Sequence, residues 1–131
     1  QKAAPVYISR EIKGADGKTE ALEIDEDFDR AWRRVGVGLD RVGLNIEDRD
    51  RSAGIYYIRY LDPDYEVKKR NDEGLFSRWF SKEKPVDAPL YRVKLVSDGN
   101  KTTVTAMPDS DKTDPLSTSA RILNLLQEQV R

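Results

Sequence analysis

The chain has 131 residues, 36% of them charged, yet its 23 basic and 24 acidic groups nearly cancel, so no global field steers a polyanion and nucleic acid is not an expected partner. Cysteine and histidine are both absent, which removes disulfides, thiolate zinc sites, cysteine nucleophiles, the usual general base and the commonest metal ligand. The length suits one compact core, and no apolar run approaches the roughly 18 residues that a membrane-spanning helix requires.

The first residues lack a charged-then-apolar signal pattern, and the chain opens at Gln1 without a methionine. We therefore expect a fragment of a longer precursor whose targeting and anchoring parts lie upstream. The missing cysteine fits cytosol and periplasm equally. Residues 1–18 read as a lead-in with a candidate edge strand at Val6, Tyr7, Ile8 and Ile12, and residues 19–131 as a single domain. Ala15-Asp16-Gly17-Lys18 is a turn signal, because Asp and Gly tolerate the backbone angles a tight turn demands, and Ala21 to Ile24 then reads as a strand.

Phe28, Trp32, Val35, Leu39 and Val42 fall at steps of four and three, which places them on one face of a helix. Asp25 or Asp27 is suited to cap its start, and Gly43 supplies the left-handed stop. Leu44 and Ile46 follow at strand spacing, then a charged turn from Asp48 to Gly54, then the β-rich run Ile55 to Tyr60. From about residue 62 to 89 the pattern dissolves into charge and proline, an insertion between strands that contains the apolar cluster Leu75, Phe76, Trp79 and Phe80. Tyr91, Val93 and Leu95 alternate with Arg92, Lys94 and Val96. Ser97-Asp98-Gly99-Asn100 closes a hairpin, and Thr102 to Met107 returns along it. Asp114-Pro115 opens a last helix, with the stripe Leu116, Ala120, Leu123, Leu126 and Val130 widened by Ile122 and Leu125. The order predicts an α+β domain: an antiparallel sheet packed against a long C-terminal helix and a second helix.

Few residues suggest chemistry. Asp48 with Asp50, or Asp109 with Asp111, are candidate acid–base pairs, but Asp48-Arg49-Asp50-Arg51 alternates in sign and satisfies itself as solvated ion pairs. Asp109 to Asp114 resembles the start of a calcium loop but has Asp114 where glycine is needed and Ala120 where a bidentate glutamate is needed, so no metal or cofactor is expected. Tyr56, Tyr57, Tyr60 and Arg59 fit a strand alternating between core and surface better than an RNA-stacking platform. The cluster in the insertion either covers one end of the core or forms an exposed contact patch. On the second reading Leu75, Phe76, Arg78, Trp79 and Phe80 are the partner-binding residues, with Arg78 and Lys82 at the rim.

The strings Phe28-Asp29-Arg30-Ala31-Trp32-Arg33-Arg34-Val35-Gly36, Leu39-Asp40-Arg41-Val42-Gly43 and Glu47 to Tyr60 closely resemble the BamC family, lipoproteins of the outer-membrane β-barrel assembly machinery. The Asp48-Arg49-Asp50-Arg51-Ser52 turn entering a tyrosine-rich strand is the most specific piece. The resemblance implies the carboxy-terminal helix-grip domain of such a lipoprotein. It also implies a non-enzymatic scaffold in the outer-membrane assembly complex that assists insertion of β-barrel proteins, with the other subunits of that complex as partners. Anchoring would run through an upstream lipidated cysteine, on the periplasmic or exposed side of the outer membrane. The alternative is a lipid or small-molecule module using a cavity between the sheet and the C-terminal helix, against which Phe28, Trp32, Leu123 and Leu126 are bulky enough to fill that space.

Overall fold

The computed structural model describes residues 8–60, 89–110, 114 and 117–130. Among these residues six strands make one antiparallel sheet: β1 (Ser9–Lys13), β2 (Thr19–Ile24), β3 (Asn45–Asp50), β4 (Ile55–Arg59), β5 (Leu90–Asp98) and β6 (Lys101–Pro108). Helix α1 (Phe28–Arg41) lies between β2 and β3 in the chain, and α2 (Thr118–Val130) ends it. The spatial order is β1-β2-β6-β5-β4-β3, so the first and third strands are the edges and the β5–β6 hairpin lies at the middle. Among the described residues the fold is α+β, with α1 and α2 packed into one core on the same face of the sheet.

The α1 stripe behaves as its spacing predicts. Ala31, Trp32, Val35 and Leu39 are buried, Asp27 Oδ1 accepts from the Arg30 amide, and Asp25 instead receives Arg10. The helix closes where Gly43 adopts φ +77°, its amide donating to the Asp40 carbonyl while the Leu44 amide returns to the Leu39 carbonyl. The sheet contributes Leu22, Ile24, Tyr56, Ile58, Tyr91, Val93, Leu95 and Val104 to the same core, and α2 contributes Ile122, Leu123, Leu126 and Val130. Each such aliphatic side chain stabilises the fold by roughly 1.5–3 kcal/mol relative to exposure.

Three elements depart from expectation. The charged turn is shorter than Asp48 to Gly54, because β3 continues through Asp50, pairing Asp48 with Tyr57, Arg49 with Tyr56 and Asp50 with Ile55. An edge strand needs hydrogen bonds on one side only and exposes most of its side chains, so charge does not end it; a bulge at Glu47 also breaks the alternation. The turn proper ends at Gly54, where φ is +72° and a Cβ would stand 2.5 Å from the Leu95 carbonyl oxygen, so glycine is required. Helix α2 begins at Thr118, later than Asp114-Pro115 suggests, after Ser117 takes a positive φ of 54°. Asp114 still caps it: Oδ1 accepts from the Thr118 amide and Oδ2 from the Ser119 amide. Pro115 and Leu116 lie outside the described residues, as do Val6 and Tyr7; β1 begins at Ser9 and occupies a sheet edge.

Candidate interaction surface

Two features of α1 shape the surface around it. Toward α2, Gly38 lets the helices approach so closely that a Cβ there would lie 2.8 Å from Leu126 Cδ1 and 3.3 Å from Val130 Cγ1. Toward the β3 edge, Gly36 leaves room for the Tyr56 hydroxyl, which donates to the Trp32 carbonyl at 2.7 Å. The Tyr56 ring stacks on Trp32 at 3.9 Å between centroids, and Trp32 on Phe28 at 5.6 Å. Burial raises the Tyr56 hydroxyl pKa above its ordinary value, so it stays protonated as a donor.

Beside this stack runs an open depression of about 810 Å³ between α1 and β3. Trp32, Gly36, Leu44, Ile46 and Tyr56 lie along it, Trp32, Leu44 and Tyr56 almost wholly buried, and its open surface is mostly polar, with Arg33, Arg49 and Arg51 near Asp29 and Asp40. The Arg49 guanidinium stands 5.9 Å from the centre of the Tyr56 ring, and Arg51 is ion-paired with Asp29. Such a trough, mostly polar and mixed in charge over a buried aromatic stack, can take an extended polypeptide. On the solvent side of the helix pair is a shallower depression of about 530 Å³, reaching from the arginines of α1 to Gln129 of α2.

Of the carboxylates singled out in the sequence, Asp48, Asp50 and Asp109 each have a partner in the structure. Asp50 accepts from the Ser52 hydroxyl at 2.6 Å and from the Ala53 amide, which together hold its carboxyl below the usual aspartate range. Asp48 accepts from the Arg49 amide, and Asp109 lies 3.4 Å from Arg92 Nε. Burial pushes the Asp114 carboxyl up, but hydrogen bonds from Ser119, Thr118 and the Tyr91 hydroxyl outweigh it and leave it below its ordinary value. Among the described residues no group of three or more acidic side chains is placed to hold a metal. Tyr56 is a core residue, Tyr57 is half-buried on the opposite face of the sheet, and Arg59 pairs with Glu47 at 2.7 Å.

Leu75, Phe76, Arg78, Trp79 and Phe80 lie outside the described residues, as does Asp111. The trough between α1 and β3 was not anticipated. Its one sequence signal is Gly36, a glycine inside a helix on the flank of the apolar stripe, which marks a close approach by a neighbour.

Known proteins are similar to this chain over nearly its whole length. Residues 11–130 match the family model described as outer membrane protein assembly factor BamC-like C-terminal domain. The chain is 40% identical over 130 residues to the outer membrane protein assembly factor BamC of Accumulibacter regalis, an alignment covering 97% of this chain and 33% of that protein. It is 41% identical over 126 residues to the BamC of Thiobacillus denitrificans, covering 94% and 34%, and 34% identical over 92 residues to that of Shewanella sediminis, covering 64% and 22%. The chain thus spans about a third of the length of the first two relatives.

Proposed function

This chain belongs to the outer membrane protein assembly factor BamC-like C-terminal domain family, and from that premise we propose that it is a non-catalytic docking module of an assembly complex for outer-membrane proteins. Its relatives carry the name of an outer membrane assembly factor; the scaffold mechanism is our own step. The observation that carries it is the contrast between committed carboxylates and an open trough. Asp50 and Asp114 are consumed by a turn and a helix cap, while the trough beside the β3 edge is an open, mostly polar surface of mixed charge with half-buried Ile46 along it. In this reading the partners are other subunits of the complex, and the domain is held at the outer membrane by a lipidated cysteine upstream. The Leu75 to Phe80 cluster is proposed as a second contact.

A ligand cavity between the sheet and α2 is the competing reading, and packing argues against it. Leu123, Leu126, Val35 and Val104 are each at most 1% exposed and occupy that space together with Trp32.

The test is affinity capture from envelope extracts, with the recovered assembly subunits quantified by mass spectrometry. Three chains are compared: the native one, a trough variant (Ile46→Lys with Arg49→Glu), and an insertion variant (Trp79→Ala with Phe80→Ala). Thermal melts show that each is folded. Loss of defined subunits from the trough variant is the expected result. Equal recovery by all three removes both surfaces from the account. Retention of a co-purifying lipid, together with a rise in Tm on adding it, would instead favour the cavity.

A further inference from the structure

Among the described residues several arginines are ion-paired, whereas one face of α1 carries three that are not. Arg10 meets Glu23 and Asp25, Arg34 meets Glu26, Arg51 meets Asp29, Arg59 meets Glu47 and Arg92 meets Asp109. Arg30, Arg33 and Arg41 have no ion-pair partner among the described residues. They fall with Arg34 and Val37 at helical spacing on the side of α1 turned away from Ala31, Val35 and Leu39. From Arg30 to Arg41 this row runs roughly 16 Å along the axis, so at ordinary salt the fields of neighbouring guanidiniums overlap. The depression beside it is lined by four arginines and a single carboxylate, that of Glu26, a local excess of three positive charges on a chain whose formal net charge is −1.

We infer that this face of α1 docks on an anionic membrane surface, its guanidiniums meeting phosphate groups of lipid headgroups. Guanidinium forks match phosphate oxygens, and a row of them on a convex helix suits a planar array of phosphates. An acidic protein partner would need apolar anchors at the centre of its contact. This face offers only Val37, which is 47% exposed, where other contact residues are charged. Docked in this way, the domain lays its helix layer on the membrane and turns the opposite face of the sheet away from it. The trough between α1 and β3 is then left at the side, sharing Arg33 and Val37 with this face, and vesicles free of any protein partner read the membrane contact alone.

The test is co-sedimentation of the 131-residue chain with vesicles of phosphatidylcholine alone or mixed with phosphatidylglycerol. Binding is expected to the anionic vesicles only, and to fall steeply between about 0.05 M and 0.3 M salt. Replacing Arg30, Arg33 and Arg41 together by glutamine should weaken it at least about tenfold, whereas replacing Lys18, Lys94 and Lys101 by glutamine should leave most of it. These arginines are exposed or at the surface, so circular dichroism should show both variants folded; the salt dependence of the native chain is independent of either. Equal binding to neutral vesicles, equal loss from the lysine variant, or full binding by the arginine variant each overturns the inference. Capture by immobilised polyglutamate without any binding to anionic vesicles also overturns it, in favour of an acidic protein.

Discussion

Gly36 sits where α1 passes the Tyr56 hydroxyl, and a Cβ there would lie 2.5 Å from that oxygen and 3.2 Å from Cζ of the ring. Gly36→Ala should gain up to ~1 kcal/mol of helix propensity but displace a buried, stacked ring, at a cost of about 1–3 kcal/mol. Tyr56→Phe removes one buried hydrogen bond, worth about 0.5–1.5 kcal/mol. The two changes should couple, because deleting the hydroxyl removes the closest clash: in the phenylalanine background, alanine at 36 should be near neutral or stabilising. A double-mutant cycle in urea reads this, and additive losses would show that the contact does not decide the residue. Asp114 makes a second test at this scale. Its folded-state carboxyl is held below its ordinary value, so its contribution is present above the unfolded aspartate pKa and is lost as pH falls through the folded one. Asp114→Ala should therefore cost about 0.5–2 kcal/mol at neutral pH, and the gap to the native chain should narrow once pH drops below about 4. A gap that widens in acid would contradict the cap.

At the scale of elements, α1 meets α2 through Gly38, where valine would press on Leu126, Gln129 and Val130. Gly38→Val should cost about 1–3 kcal/mol, while Val37→Ala one residue away should stay within about 0.5 kcal/mol; urea midpoints at unchanged m-value separate them. Neighbouring positions thus differ in consequence because one faces a helix and the other water. The apolar face of α1 was readable from spacing alone, as were β4, β5 and the turn at Gly99-Asn100, since burial on one face imposes a period. The edge strand β3 was only half readable, because exposed side chains carry no such period. Helix α2 was placed early, because an aspartate–proline pair signals a start while the carboxylate reaches past a turn to Thr118 and Ser119. Adjacency of β2 to β6 and the two glycine contacts depend on pairings far apart in the chain, which no local pattern encodes.

For the molecule as a whole, one buried cluster joins both helices to the central strands, and this sets how the domain should unfold. Trp32 on α1 stacks on Tyr56 of β4 and is 8% exposed, so its emission reports docking of α1 on the sheet. With Trp79 replaced by phenylalanine it becomes the sole tryptophan of the two in the chain. In that background, thermal unfolding followed by Trp32 emission and by far-ultraviolet circular dichroism should share one midpoint. Leu126→Ala on α2 should cost about 2–5 kcal/mol, because Leu126 is fully buried against the neighbouring helix, and each kcal/mol should lower Tm by roughly 3–5 °C. The loss should appear equally in the signal from α1, although the substitution is on the other helix, because among the described residues both helices pack their apolar faces into the one shared core. A drop seen by circular dichroism alone, with Trp32 emission unmoved, would mean that α1 and the β4 edge hold together without α2. The trough would then be a surface that survives partial unfolding, and a docking module would not need its C-terminal helix in place to present it.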